Sequence, residues 1–173
     1  MIRGALAALL SDEPDIEVVA QVERGDQVLV AAVEAKPDVA LLDIEMPGCD
    51  GIAAAADLQR HLPSCRTLIL TVFGRPGYLR RAVESGVRGF LLKDAPPDEL
   101  AVAVRRVMAG EKVFDPKLAI SALSADGASV EAVASALHLS SGTVRNHLSI
   151  AIQKVNAHNR IEAARIAREK GWL

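Results

Sequence analysis

Along the first two thirds of the chain, short apolar runs alternate with longer stretches whose apolar residues recur every three to four positions. The short runs, rich in Val, Leu and Ile, predict strands at 17–22, 39–43, 66–71 and 88–92. The longer stretches predict helices at 4–11, 26–35, 52–61, 77–85 and 97–109, each bounded by a turn former such as Gly25, Pro37, Gly51, Pro63, Gly86 or Gly110. Parallel strands need a crossover between them, so this alternation predicts an α/β domain at 1–110: a parallel sheet covered by helices.

Beyond Gly110 the pattern changes. Residues 111–125 hold a break at Phe114-Asp115-Pro116 and then an Ala/Ser-rich segment at 117–124, read as a linker or bridging helix. From 126 to 173 only helical periodicity is left, at 130–137, 141–154 and 160–170. Two helices joined by the short turn His138-Leu139-Ser140 are what a helix-turn-helix requires, so a small all-α domain is expected at 126–173.

Composition adds exclusions. Half of the residues are apolar and 24% charged, which excludes disordered and collagen-like classes. Aromatics are scarce, so the core must be built from Ala, Val, Leu and Ile. No run approaches the ~18 apolar residues of a membrane span and the amino end has no signal-peptide cleavage site, so a cytoplasmic protein with no membrane partner is expected. Cys49 and Cys65 lack metal or redox spacing and read as free thiols. The net charge of −2 conceals an asymmetry: from Ser140 onward only Glu162 and Glu169 oppose Arg145, Lys154, Arg160, Arg165, Arg168 and Lys170. Such a tail suits a solvated helix face or a DNA-binding module, and charge does not separate the two.

Candidate chemistry gathers at the carboxyl ends of the strands, where open α/β sheets bind ligands. Asp43 ends one apolar run, Thr71 another, and Lys93 follows a third. A carboxylate, a hydroxyl and an ammonium group converging there could accept, hydrogen-bond and neutralise a phosphoryl group.

The run Asp43-Ile44-Glu45-Met46-Pro47-Gly48-Cys49-Asp50-Gly51, the Thr71 strand end and Gly89-Phe90-Leu91-Leu92-Lys93-Asp94 resemble the receiver motifs of bacterial two-component response regulators of the NarL/FixJ type. That resemblance implies a flavodoxin-like receiver with Asp43 as phosphoacceptor, Thr71 as switch hydroxyl, Lys93 as its cationic partner and Phe90 as the rotating aromatic. It implies a sensor histidine kinase as partner, and a magnesium ion held by Asp43 and the main-chain carbonyl of Glu45. The family's first strand, with its acidic pair, has no match ahead of Gly4, so weak magnesium binding is expected. Asp12, Glu13 and Asp15 follow the first helix and belong to the opposite edge of the sheet. In strand order 2-1-3-4-5 the missing strand leaves 17–22 and 39–43 facing an empty slot, so that either the two pair directly, the slot is filled from another chain, or the domain is only marginally stable.

The stretch from Asp126 through Ser129-Val130-Glu131 to Ser140-Ser141-Gly142-Thr143-Val144-Arg145-Asn146-His147-Leu148-Ser149 resembles the LuxR-type helix-turn-helix, without that family's opening scaffold helix. The residues agree with the match. Ser129 can cap the supporting helix, Ser140 or Ser141 the second one, and Val144, Leu148, Ile152 and Val155 form an inward stripe. Thr143, Arg145, Asn146 and Ser149 are left facing outward, and Arg and Asn are the side chains that contact guanine and adenine bidentately. Ser141 at the helix start, Lys154 and Arg160 suit backbone phosphates. The resemblance implies a regulator that binds double-stranded DNA as a homodimer, controlled through Asp43; the competing expectation is a shortened, phosphate-independent dimerisation partner of longer relatives. No nucleophile–base pair or glycine-rich phosphate loop points to an enzyme.

Overall fold

The structure, a computed structural model, describes residues 2–72, 76–93, 97–114, 129–136, 140–154 and 156–169. Strands β1 (Val39–Asp43), β2 (Arg66–Thr71), β3 (Gly89–Leu92) and β4 (Val113–Phe114) form one parallel sheet in the order β1-β2-β3-β4. Side chains alternate across it, as the period of two demands. Leu42, Ile69, Phe90 and Phe114 face helices α2 (Val28–Ala35), α3 (Gly51–His61) and α4 (Pro76–Glu84), whereas Leu68, Leu70, Leu91 and Val113 face α1 (Ile2–Ser11) and α5 (Pro97–Met108). With both faces covered, the centre of β2 from Thr67 to Thr71 is buried throughout, which explains its unbroken apolar run.

Two features depart from the sequence expectation. β4 is a two-residue edge strand at the predicted break, joined by the Val113 amide to the Arg88 carbonyl at 2.9 Å; two residues carry no periodicity. The predicted strand at 17–22 is not a strand, for it makes no ladder with β1. Between this segment and β1 lies a cavity of about 1010 Å³, lined by Ile16, Val18, Ala20 and Val22 on one side and Val39 and Leu41 on the other. A strand exists by pairing; with no neighbour in register, an apolar alternation is insufficient. Consequently Ala40 and Leu41 are only half-buried, unlike their buried partners Thr67 and Leu68 in β2. The slot's ends are tied across by charge. Arg3 of α1 donates to the Val22 carbonyl at 3.2 Å and to Glu23 at 2.7 Å, and Arg105 of α5 clamps Glu13 at 2.6 Å and Asp15 at 2.5 Å.

The carboxyl-terminal helices are α6 (Val130–Ala136), α7 (Ser141–Lys154) and α8 (Arg160–Glu169). Val133 and Ala134 of α6 meet Val144 and Leu148 of α7, all buried, and this cluster is continuous with the core on the α3–α4 side of the sheet through contact of α6 with α4. The expected helix at 117–124 lies outside the described residues.

Candidate functional site

At the carboxyl edge of the sheet, Asp43 ends β1, Thr71 ends β2 and Lys93 follows β3, so three adjacent strands deliver the three groups side by side. Register supports this: Asp43 lies opposite Leu70 and Thr71 opposite Leu92, and the Lys93 amide donates to the Thr71 carbonyl at 2.7 Å. The Lys93 ammonium is paired with Asp43 Oδ2, and the Glu45 amide donates to Asp43 Oδ1 at 3.2 Å. The Asp43 side chain keeps 34% of its surface exposed and the Lys93 side chain 15%, which leaves the carboxylate reachable beside a sheltered cation. Thr71 and Phe90 are buried. Both belong to the face covered by α3 and α4, since Phe90 lies opposite Ile69 and Thr71 is two residues further along β2.

The loop after β1 is held by close packing. Gly51 donates to the Ile44 carbonyl at 3.1 Å, and a Cβ there would stand 1.9 Å from the Asp43 carbonyl oxygen, so only glycine fits. Asp50 caps α3 by accepting from the Ala53 amide at 2.8 Å, and its other oxygen accepts from Arg81 of α4 at 2.8 Å. Burial acts to raise the Asp50 pKa, but Arg81 and the Ala53 amide outweigh it and hold it below the usual carboxylate value. Sequence reasoning did not single out this pair as functional. Asp-Gly before an apolar helix is a readable cap signal; Arg81, 31 residues away, gives none.

In the helical region, Ser129 caps α6 by accepting from the Ala132 amide at 3.1 Å. Ser140, rather than Ser141, caps α7: its Oγ accepts from the Thr143 amide at 3.0 Å and lies 2.8 Å from the Thr143 hydroxyl. Val144 and Leu148 point inward and Ile152 is half-buried, as the stripe predicts. Arg145, Asn146, Ser149 and Arg160 are exposed, Ser141 and Thr143 half-exposed. Thr143 therefore serves the helix start as well as its surface. Arg145 is not free on that surface, because it donates to Glu131 of α6 at 3.1 Å. Between α7 and α8 the backbone turns at Asn156, whose positive φ of 54° a short polar side chain tolerates. Asn159 and Glu162 then start α8, with the Glu162 amide donating to Asn159 at 2.9 Å and the His158 amide to Glu162 at 2.7 Å. The Lys154 side chain and Val155 lie outside the described residues.

A strand-end carboxylate–hydroxyl–ammonium set joined to a capped helix-turn-helix is matched by known families. The profile of the response regulator receiver domain matches residues 1–105, and that of the bacterial regulatory proteins of the luxR family matches 118–167. The transcriptional regulatory protein DesR of Bacillus subtilis is 41% identical over 189 positions, covering 100% of this chain and 94% of DesR. The chain belongs to the LuxR-type response regulators. The response regulator VraR of Staphylococcus aureus is 31% identical, over 94% of this chain and 89% of VraR. Among solved structures, a LuxR-family DNA-binding response regulator from Staphylococcus aureus superposes with a TM-score of 0.60 at 32% identity, over 62% of this chain and 90% of that one. One from Aurantimonas sp. SI85-9A1 gives 0.66 at 26%, over 70% and 86%.

This response regulator is thus a two-component, DNA-binding transcriptional regulator with a flavodoxin-like receiver, and its family is generally non-enzymatic. The DesR match spans 189 positions against 173 residues here, so DesR carries residues without a counterpart in this chain. Receivers typically bind magnesium at the phosphorylation site. The described residues here do not fit that ion. They contain no group of three His, Cys, Asp or Glu side chains able to hold a metal. Among the described residues no helix is long and apolar enough to cross a membrane.

Proposed function

We propose that this cytoplasmic response regulator takes a phosphoryl group from a sensor histidine kinase on Asp43 and, as a homodimer, binds double-stranded DNA through α7. The unit at 1–110 receives the signal, 111–125 bridges, and 126–173 binds DNA. The observation that carries the first half is the delivery of Asp43, Thr71 and Lys93 by three adjacent strands. The Asp43 carboxylate, partly exposed, is the nucleophile: its oxygen bonds to the phosphorus of the kinase's phosphohistidine as the P–N bond breaks, the histidine imidazole leaves with that electron pair, and Asp43 is left as an acyl phosphate. Lys93 would turn from the carboxylate to the added phosphoryl oxygens, a charge-assisted contact preorganised by the existing pair. The Thr71 hydroxyl follows those oxygens, and Phe90, on the same face, transmits the shift to α4 and to α6 packed on it. The magnesium ligands expected at Asp43 and the Glu45 carbonyl are too few to define a site, and no step here is routed through the ion.

On α7, Arg145 and Asn146 read base edges. Ser141, Thr143, Ser149, Lys154 and Arg160 hold phosphates and surrounding groups, which the positive dipole end of α7 at Ser141 favours. Incubation of the full chain with acetyl phosphate tests the receiver half. A mass gain of one phosphoryl group on the parent and none on Asp43→Asn is the expected result; equal labelling of both proteins would refute the assignment.

A further inference from the structure

Arg145 is the outward residue with the greatest capacity to read a base, and in this protein it is held by a partner on the other helix of the motif. Its guanidinium donates through Nη2 to Glu131 Oε1 at 3.1 Å, with the two side chains 65% and 63% exposed. Glu131 stands in the first turn of α6, behind the Ser129 cap, and its own amide and the Ser129 hydroxyl, followed by Arg145, hold its carboxyl below the usual glutamate value. The carboxylate is thus a negative charge at the start of one helix, in contact with one end of a planar fork on the other.

A free arginine side chain loses rotamer freedom when it is fixed, so an arginine already oriented gives up less on binding. Pinning Nη2 leaves the remaining donors of the fork available for the two acceptors of a guanine edge. The same carboxylate repels every phosphate that approaches, whatever the sequence. We infer that Glu131 is a positioning and specificity-determining residue: it orients Arg145 toward base edges and, by its charge, weakens binding to duplexes in which Arg145 finds no guanine. This rests on the reading of α7 given above.

The two effects separate by substitution. Glu131→Gln removes the charge and weakens the anchor; Glu131→Asp keeps the charge but withdraws it by one methylene, beyond reach of Arg145. The probe is a randomised double-stranded DNA pool bound to the full chain, with sequencing of the bound fraction and salt titration of one enriched and one scrambled duplex. Arg145→Ala identifies the base position that Arg145 reads. At that position both Glu131 variants should lose preference about 5-fold or more, while only Glu131→Gln should bind the scrambled duplex more tightly and with steeper salt dependence, by up to about one phosphate's worth of slope. In the Arg145→Ala background neither Glu131 variant should alter base preference. If both Glu131 variants keep the parent preference while Arg145→Ala loses it, the positioning role is overturned and the reading helix stands. If Arg145→Ala keeps the preference as well, the reading of α7 and the inference fall together. Far-UV circular dichroism of each variant, matching the parent, assigns the changes to the pair and not to an unfolded motif.

Discussion

Replacing Ser140 by Ala removes the acceptor for the Thr143 amide, at 3.0 Å, together with the Thr143 hydroxyl contact at 2.8 Å. Both groups are at an exposed helix start, where water partly compensates. The loss therefore belongs to the ordinary range for a capping serine, about 1 kcal/mol within limits of roughly 0.5–2. For a chain of 173 residues, 1 kcal/mol lowers the melting temperature by about 2–4 °C. Hydrogen exchange resolves the effect locally: the Thr143 and Val144 amides should exchange about 5-fold faster, since 1 kcal/mol is about that factor in the opening equilibrium. Two further substitutions sharpen the test. Ser140→Gly should cost only a few tenths of a kcal/mol. Ser140→Asp should restore the cap and add roughly 0.3–1 kcal/mol from its charge at the helix start, yet weaken DNA binding by repelling phosphate. A Ser140→Ala protein whose α7 amides exchange at the parent rate would refute the cap as the determinant of this helix start.

The Gly51→Ala variant should lose roughly 1–3 kcal/mol in urea denaturation and acquire phosphate on Asp43 more slowly, because the added Cβ meets the Asp43 carbonyl at 1.9 Å and backbone must move. Acid sensitivity should change with Arg105→Gln. Arg105 lowers the folded-state pKa of Asp15, so the clamp's contribution is complete above the unfolded-state value near 3.8 and is lost as pH falls through the depressed folded value. Acid titration followed by tryptophan-independent far-UV signal should therefore show a shallower loss of stability below that pH in the Gln variant, and an unchanged slope would refute the clamp. Asp50→Ala should destabilise the start of α3 by about 1 kcal/mol and detach Arg81, an effect larger than that of Arg81→Ala alone, as a urea series on the two variants would show.

Much of the molecule was legible from the chain alone. The apolar runs ending at Asp43, Thr71 and Leu92 announced three strands because helices pack on both faces of the sheet, and cover on both faces writes itself as a continuous apolar run. The α7 stripe of Val144 and Leu148 was equally plain, since both lie on one side of a capped helix. Residues 17–22 were misread because their alternation reports which side chains face the core and says nothing about whether a neighbour is present to pair with the backbone. The links from Arg81 to Asp50 and from Arg145 to Glu131 were out of reach for another reason. Each joins exposed charges on different helices, and exposed charges have no periodicity that betrays their partners.

The cavity beside β1 makes the sheet unequal in its resistance to opening. In a parallel strand the amide and carbonyl of one residue point to the same edge and those of the next residue to the other, so β1 gives alternate residues to β2 and turns the rest toward the slot. Protection from exchange should then flicker residue by residue along Val39–Asp43 while it runs unbroken along Arg66–Thr71, which has a neighbour on each side. Of the three strands that deliver the phosphoryl-site groups, the one expected to open first is the one that ends in Asp43.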